Sequence, residues 1–126
     1  MTLDGLLYTK EHEWMRIDGD IAVVGITDYA QGELGDIVFV ELPAPGKMVA
    51  SGDVALTVEA VKAVSDVYAP VAGKIVAVND VLRTAPDTVN KDPYGTGWMV
   101  KIKMSAPGDF SGLLSPSDYK KLIAES

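Results

Sequence analysis

The chain has 126 residues, 48% hydrophobic and 23% charged, which is the profile of one ordinary globular domain with its own core. Its 11 Lys and Arg residues against 18 Asp and Glu give a net charge of −7. This balance disfavours nucleic-acid binding, which needs basic patches to neutralise phosphates. The absence of cysteine excludes disulfides and thiolate chemistry, and the single histidine excludes a metal site of several imidazoles, so we expect no metal.

No apolar run reaches the length of a membrane span, because charged residues interrupt each one. The N-terminal residues lack the pattern of a signal peptide and that of an Arg-rich leader. We therefore expect no membrane association and a cytoplasmic location. An acidic surface suited to transient docking favours a monomer.

Short β-branched runs separated by Gly and Pro predict a mainly β protein of the sandwich or barrel type. The predicted strands are His12–Ile17, Ile21–Ile26, Asp36–Leu42, Val54–Val58, Asp66–Tyr68, Lys74–Val78 and Trp98–Met104. Alternation in the last strand predicts one face made of Trp98, Val100, Ile102 and Met104, and an opposite face made of Met99, Lys101 and Lys103.

Three helical segments are predicted between and after these strands. Thr27–Leu34 follows a capping residue and stops at Gly35, and Asp87–Asn90 forms at most one turn. In the tail, Ser115 is the predicted cap and Pro116 the first helical residue. Tyr119, Leu122 and Ile123 then form an apolar stripe that would lie on the β core.

An internal repeat organises the chain. Residues Pro43–Ala50 match Pro70–Ala77, and each copy is followed three residues later by an Asp. Two copies are too few for a solenoid, and they fit one compact domain built from two similar halves. The segment that joins the halves contains Lys62.

Lys62 lies between two predicted strands, at or next to the tip of a hairpin. An exposed Lys on a rigid turn is accessible to a modifying enzyme, and its four-carbon stem remains free to move. A hairpin Lys is more often only a solvated charge that discourages edge aggregation. Local pattern alone therefore leaves its role open.

The segment Glu59–Gly73, which contains Lys62, resembles the lipoylation segment of the glycine cleavage system H protein family. The similarity extends from about Tyr8 to Tyr119 in the family's order and spacing, with slight departures at Ala60 and after Lys103. The other segments that carry it are Lys10–Trp14, Val24–Thr27, Ala30–Gln31, Leu34–Asp36, Val38–Val40, Leu42–Pro43, Val76–Asp80, Val89–Asn90, Asp92–Gly95, Gly97–Trp98 and Lys101–Lys103.

This resemblance implies a lipoyl-domain-like fold, a flattened barrel or hybrid of two antiparallel sheets, with short helices in the N-terminal part and at the C-terminus. The whole chain, residues 1–126, would be a single lipoyl-carrier domain. Its lipoyl-domain core would span about residues 20–104, followed by a helical tail at about residues 109–125. The repeat would correspond to the quasi-two-fold symmetry of lipoyl domains.

The resemblance also implies a non-catalytic carrier with lipoic acid attached covalently to Lys62. Lipoyl-Lys62 would carry the aminomethyl group of glycine from the pyridoxal-phosphate glycine decarboxylase (P protein) to the tetrahydrofolate-dependent aminomethyltransferase (T protein). Dihydrolipoamide dehydrogenase (L protein) would then reoxidise the arm. A lipoyl ligase or octanoyltransferase would install it.

Four further residues are candidates for roles beside the arm. The resemblance implies that Glu13 and Asp66 pair with the cationic cargo in a cleft that excludes water. His12, as a lone histidine, is more often a wall or packing residue of such a cleft than a general base, and Glu59 would guide the modifying ligase. For Glu59, a simple charge beside a turn is an equal alternative.

Competing functions differ in what the lysine carries or in what the domain is attached to. Biotin acceptors typically place Met on both sides of the Lys, where this chain has Val61 and Ala63. A lipoyl domain of a 2-oxo acid dehydrogenase would be shorter and followed by an Ala/Pro-rich linker. A stand-alone enzyme is disfavoured by the lack of catalytic motifs. A lipoyl or octanoyl donor to other complexes remains open, since it would use the same arm.

Overall fold

The computed structural model describes residues 5–108, 110 and 112–124. The strands are β1 (Leu7–Tyr8), β2 (Glu13–Asp18), β3 (Ile21–Ile26), β4 (Ile37–Glu41), β5 (Met48–Val49), β6 (Val54–Ala60), β7 (Val64–Tyr68), β8 (Gly73–Val78) and β9 (Val100–Met104). The helices are α1 (Asp28–Leu34), α2 (Val81–Thr84), α3 (Thr88–Lys91) and α4 (Pro116–Ala124). Residues 109, 111 and 125 of the predicted tail lie outside the described part.

The strands form two antiparallel sheets. One has six strands in the order β1-β2-β3-β9-β8-β5, and the other has three in the order β4-β6-β7. In the described residues the sheets remain separate and do not close into one barrel. The predicted mainly β fold, a hybrid of two antiparallel sheets with short helices, is confirmed.

The main core lies between the two sheets because alternate residues of their strands are apolar and buried. Met15 and Val24 belong to the six-stranded sheet, and Val58 and Val67 to the three-stranded sheet. All four side chains are at most 2% exposed. This shared apolar layer fixes the position of the β6–β7 hairpin on the body of the protein.

The predicted strands are all present, with ends displaced by up to two residues. Three elements were not predicted, namely β1, β5 and α2, because two-residue strands and a one-turn helix carry no readable period. The expected facing of Trp98 and Met99 is wrong: both precede β9, Met99 is buried in the main core, and Trp98 packs with a second cluster. Outside the regular strand, alternation no longer sets the side-chain direction.

The two copies of the repeat pair with each other. β5, from the first copy, lies antiparallel to β8, from the second, with Met48 opposite Lys74 and Val49 opposite Gly73. Close approach explains the glycine, because a Cβ on Gly73 would lie 2.1 Å from the carbonyl oxygen of Lys103 on the neighbouring strand β9. The pairing supports the predicted two-fold relation of the halves.

Two of the helices, α1 and α4, have side-chain caps at their N-termini, and α1 begins one residue later than predicted. The Thr27 hydroxyl accepts a hydrogen bond from the Ala30 N–H at the start of α1, and the Ser115 hydroxyl accepts one from the Asp118 N–H at the start of α4. Helix α4 packs with Tyr8, Trp14 and Val23 in the second cluster, on the face of the six-stranded sheet opposite the main core. None of the described helices has the length and apolar character needed to cross a membrane.

Candidate functional site

Lys62 lies at the tip of the β6–β7 hairpin. The turn is closed by a hydrogen bond of 2.8 Å from the Ala60 N–H to the Ala63 carbonyl oxygen. Lys62 is exposed, and its neighbours Val61 and Val64 are 71% and 66% exposed. The ammonium group is therefore accessible on a turn that its own strands hold in place.

The hairpin tip is also tied to the loop that follows α1. Val61 N–H donates to the Asp36 carbonyl oxygen at 2.9 Å. Gly35, with φ of +79°, lies beneath the Lys62 side chain, whose Cε would be 3.5 Å from a Cβ at that position. A larger residue at Gly35 would be strained by its backbone conformation and would contact the Lys62 stem.

Asn90 on α3 holds that loop from the other side. Its amide nitrogen donates to the Gln31 side-chain oxygen and to the Gly35 carbonyl, both at 2.9 Å. Its amide oxygen accepts the Ile37 N–H at 2.9 Å. Three elements, α1, α3 and β4, therefore fix the support on which the Lys62 turn rests.

A cleft of about 340 Å³ lies beside the hairpin, between β7, α1 and the loop before β2. It brings together three of the residues identified from the sequence, His12, Glu13 and Asp66. Lys62 and Glu59 are not among its lining residues. Asp66, four residues beyond Lys62, links the hairpin tip to the cleft.

Glu13 is the buried carboxyl group of the cleft, at 2% exposure. The Thr9 hydroxyl donates to Oε1 at 2.5 Å, and the Tyr68 N–H donates to Oε2 at 3.1 Å. Burial raises the pKa of Glu13 to about 7, against the lowering effect of these two hydrogen bonds. The group therefore changes between neutral and charged near neutral pH.

Glu13 also borders a second cavity, of about 420 Å³, whose lining includes Thr9, Tyr68 and Pro70. The carboxyl group thus lies between two openings, and its bond to Tyr68 links β2 of the larger sheet to β7 of the smaller one.

Asp66 differs from Glu13 because it is exposed. Its Oδ1 accepts a hydrogen bond of 3.1 Å from the Thr57 hydroxyl on the neighbouring strand. Glu11 and Glu33 also line the cleft, so four carboxyl groups surround it. Their combined charge favours a cationic ligand. In the described chain, no group of three or more acidic or histidine side chains is arranged to hold a metal ion.

Glu59 lies on the outward face of the three-stranded sheet. It is half-buried and stands opposite Val64 on one neighbour and Phe39 on the other. The side chains on either side of Glu59 are therefore apolar and exposed, with Phe39 at 48% exposure. The ligase-recognition role of Glu59 stays a prediction.

His12 lines the cleft and is held in an unusual backbone conformation, with φ of 69°. Its Nδ1 is 2.8 Å from the Tyr119 hydroxyl, and its ring contacts Tyr29 at a centroid distance of 4.8 Å. Burial lowers the pKa of His12, so the imidazole is neutral at neutral pH. A neutral ring in the cleft wall does not compete with a cationic ligand.

Sequence reasoning missed several residues that shape this site: Thr9, Thr27, Tyr29, Asn90 and Tyr119. Thr27 and Asn90 were placed only in predicted helices and in segments that resemble the family, and Tyr119 only in an apolar stripe. These residues form polar contacts with residues far away in the sequence; Tyr119 and His12, for example, are 107 positions apart. No local spacing pattern carries such a signal.

Comparison with known proteins identifies the family of this chain. A family model described as glycine cleavage H-protein matches residues 6–126. The chain belongs to this family. The family membership that the sequence motifs predict is therefore confirmed.

Individual members of the H-protein family are similar over nearly the full chain. A glycine cleavage system H protein of Carboxydothermus hydrogenoformans is 53% identical over 120 residues, covering 95% of this chain and 92% of the relative. One of Herpetosiphon aurantiacus is 56% identical over 119 residues, covering 94% and 90%. The crystal structure of a glycine cleavage system H protein from Mycobacterium marinum has a TM-score of 0.89 at 40% identity, covering 98% of this chain and 99% of that chain.

Proposed function

We propose that this chain is the non-catalytic lipoyl carrier of the glycine cleavage system, with lipoic acid joined by an amide bond to Nζ of Lys62. The observation that carries the proposal is an exposed lysine at the tip of a braced hairpin, four residues from a carboxylate that lines an acidic cleft. Family membership supports the same reading. The lipoyl group supplies a disulfide that accepts and releases the aminomethyl group of glycine.

The residues of this chain fit such an arm. Lys62 offers an accessible amine with a flexible stem, and the hairpin base supplies a fixed point of attachment. Tethering keeps the cargo at high effective concentration near each partner's active site, which is how a carrier without catalytic groups can contribute. The cleft of about 340 Å³ is large enough to receive a small group.

Glu13 and Asp66 are the proposed partners of the cationic cargo. Asp66 is exposed at the cleft, and the two donors on Glu13 favour its charged form, which an arriving ammonium would favour further. A charge-assisted hydrogen bond in the cleft would hold the ammonium group of the cargo and slow the hydrolytic loss of the aminomethyl group from the arm. His12 contributes a neutral wall.

The proposed partners are the glycine decarboxylase, the aminomethyltransferase, the dihydrolipoamide dehydrogenase and the enzyme that lipoylates Lys62. Glu59, three residues before Lys62 on the outward face of its strand, is the proposed contact for that last enzyme. We further propose that the protein works as a cytoplasmic monomer.

Mass spectrometry tests the attachment site. Protein from its native host should carry a lipoyl increment on the peptide containing Lys62, and Lys62→Arg should carry none because the guanidinium does not form the amide. Lys47→Arg is the matched control, since Lys47 precedes a strand of the other sheet, and it should remain fully modified. A biotin increment, or a lipoyl group elsewhere, would contradict the proposal.

The lifetime of the loaded carrier tests the cleft. Asp66→Asn should shorten the half-life of the aminomethyl-loaded protein about three- to tenfold, the scale of one exposed charge pair of about 1 kcal/mol. Glu41→Gln is the control, because Glu41 and Asp66 stand opposite the same residue, Thr57, but Glu41 does not line the cleft. Equal half-lives for Asp66→Asn and the wild type would rule out the pairing.

Glycine decarboxylation with the purified partner enzymes distinguishes the cleavage cycle from a pure lipoyl donor. Glycine-dependent release of carbon dioxide is expected with the lipoylated wild type and not with Lys62→Arg. Activity only as a donor of lipoyl or octanoyl groups to other complexes would replace the proposed function.

A further inference from the structure

The turn that leads into Glu13 has a conformation that its own residues do not favour. His12 is the one non-glycine residue with a positive φ in the described part of the chain. Such a conformation costs on the order of 1 kcal/mol or more for a residue with a side chain. It persists only where contacts from outside the turn compensate for that cost.

His12 itself makes three of the hydrogen bonds that hold this turn. The His12 N–H donates to the Thr9 carbonyl at 3.2 Å, and the His12 carbonyl accepts the Thr27 N–H at 3.0 Å. The third joins the imidazole Nδ1 to the Tyr119 hydroxyl at 2.8 Å. Of the three, this bond alone reaches the C-terminal helix, and it alone fixes the ring.

Tyr119 is well placed to brace this turn. It is fully buried, and its ring stacks on Tyr8 of β1 with centroids 4.6 Å apart and an interplanar angle of 7°. Its hydroxyl is also 2.7 Å from the Thr27 hydroxyl, which caps α1. One oxygen atom therefore connects helix α4 with the His12 turn and with the start of α1.

Both of these segments line the acidic cleft. Glu11, His12 and Glu13 form one side, and α1 contributes Tyr29, Ala30, Glu33 and Leu34 to the other. Movement of either segment would change the space beside Glu13 and Asp66. The cleft therefore depends on a contact made by a helix that does not line it.

The Tyr119–Thr27 and His12–Tyr119 bonds can each run in either direction, and one arrangement gives every hydroxyl proton of the network an acceptor. The Ala30 N–H donates to Thr27 Oγ1, the Thr27 hydroxyl donates to Tyr119 Oη, and the Tyr119 hydroxyl donates to His12 Nδ1. The remaining imidazole proton then resides on Nε2. Burial raises the pKa of Tyr119 to about 12 and lowers that of His12, while Glu11 and Glu33 oppose the latter shift, so the phenol remains protonated and the ring neutral at neutral pH.

We propose that Tyr119 is a positioning residue of the cargo cleft, acting through its hydroxyl to fix the His12 turn and the N-terminus of α1. The C-terminal helix is thereby part of the functional site, although it contributes no lining residue. This inference rests on the proposed carrier function for its effect on the cargo, whereas its effect on His12 can be measured without any modification of Lys62.

The test is Tyr119→Phe in the full chain, which removes one oxygen and keeps the ring stacked on Tyr8. His12 is the single histidine in the sequence, so its ¹⁵N imidazole signals are unambiguous. The wild type should show Nε2 protonated and Nδ1 as a hydrogen-bond acceptor, and Tyr119→Phe should lose the acceptor shift. In the lipoylated protein, the loaded half-life should fall about three- to tenfold.

Ile123→Ala is the matched control, because Ile123 lies on the same helix and in the same apolar cluster. It should lower thermal stability and leave the His12 signals and the loaded half-life unchanged. A Tyr119→Phe protein with wild-type half-life, or an equal loss in Ile123→Ala, would overturn the positioning role.

The wild-type protein provides a second measurement that does not depend on how well the variant folds. A phenolic proton held between Oη and Nδ1 should be protected from exchange and give its own resonance with a cross-peak to the His12 ring. Its absence would overturn the proposal. Failure to find lipoate on Lys62 would contradict the carrier function and leave both imidazole measurements intact.

Discussion

Glu13 carries a carboxyl group that folding removes from water and provides with two donors. The donors favour the anion and burial favours the acid, and burial has the larger effect, so the pKa rises from 4.5 to about 7. At this value the group can stay neutral in the empty cleft and become charged when a cation arrives. A carboxyl group that is not already in a permanent ion pair is available to bind a transient cationic partner.

The raised pKa makes Glu13 a source of pH-dependent stability. Between about pH 4.5 and pH 7 the folded chain binds more protons at this residue than the unfolded chain does, so stability falls as the pH rises. The contribution is complete below the unfolded value and is lost as the pH passes about 7. Its size is on the order of 3 kcal/mol.

Glu13→Gln should therefore flatten the pH dependence of the free energy of unfolding between pH 5 and pH 8. Urea denaturation at each pH measures the free energy of unfolding of both proteins. The difference between the two curves isolates Glu13, because Asp28 and Asp92, whose pKa values are lowered, titrate in both proteins. Parallel curves for wild type and variant would show that Glu13 does not titrate in this range.

At the scale of elements, a glycine in a strand and a glycine in a helix differ in the space available for a side chain. Gly25 in β3 stands opposite Trp14 in β2, and a Cβ there would lie 2.8 Å from the indole ring. The indole is fully buried, and its N–H donates to the Pro93 carbonyl at 3.0 Å, so it cannot move without losing that bond. A Cβ on Gly32 in α1 would meet no atom within 4 Å beyond its chain neighbours and the backbone of its own helix.

Alanine should thus have opposite effects at these two positions. Gly25→Ala should lower the free energy of unfolding by about 1–3 kcal/mol through overpacking, whereas Gly32→Ala should raise it by about 0.5–1 kcal/mol through helix propensity. Chemical denaturation measures both. A Gly25→Ala protein as stable as the wild type would mean that the Trp14 ring has room to shift.

At the scale of the whole molecule, strand β1 is joined both to the larger sheet and to the segment that carries α4. Tyr8 and Leu114 exchange two backbone hydrogen bonds, of 2.9 and 2.7 Å, and Tyr119 stacks on Tyr8. Glu13 meanwhile links the two sheets through Tyr68. These connections support the single domain proposed for residues 1–126, in which the tail at about 109–125 is not independent of the core at about 20–104.

Unfolding should accordingly occur in one cooperative step. Trp14 and Trp98 both pack in the second cluster beneath α4, so their fluorescence reports on the tail. Far-ultraviolet circular dichroism reports on the sheets. The two midpoints should coincide, and Ile123→Ala should lower both together. Loss of the fluorescence signal before the sheet signal would instead mark the tail as a separate unit.

Local sequence determined the strands other than β1 and β5, the two capped helices, the Lys62 hairpin and the repeat, because alternation, capping residues and turns act over a few neighbours. Family motifs added Glu13, Asp66 and His12 as site residues, and the cleft contains all three. Only the tertiary structure decided how Glu13 is buried, where α4 packs, and that Tyr119 and Asn90 support the site. Those features depend on contacts between residues up to 107 positions apart, which are set by the packing of two sheets and a helix and leave no periodic trace in the chain.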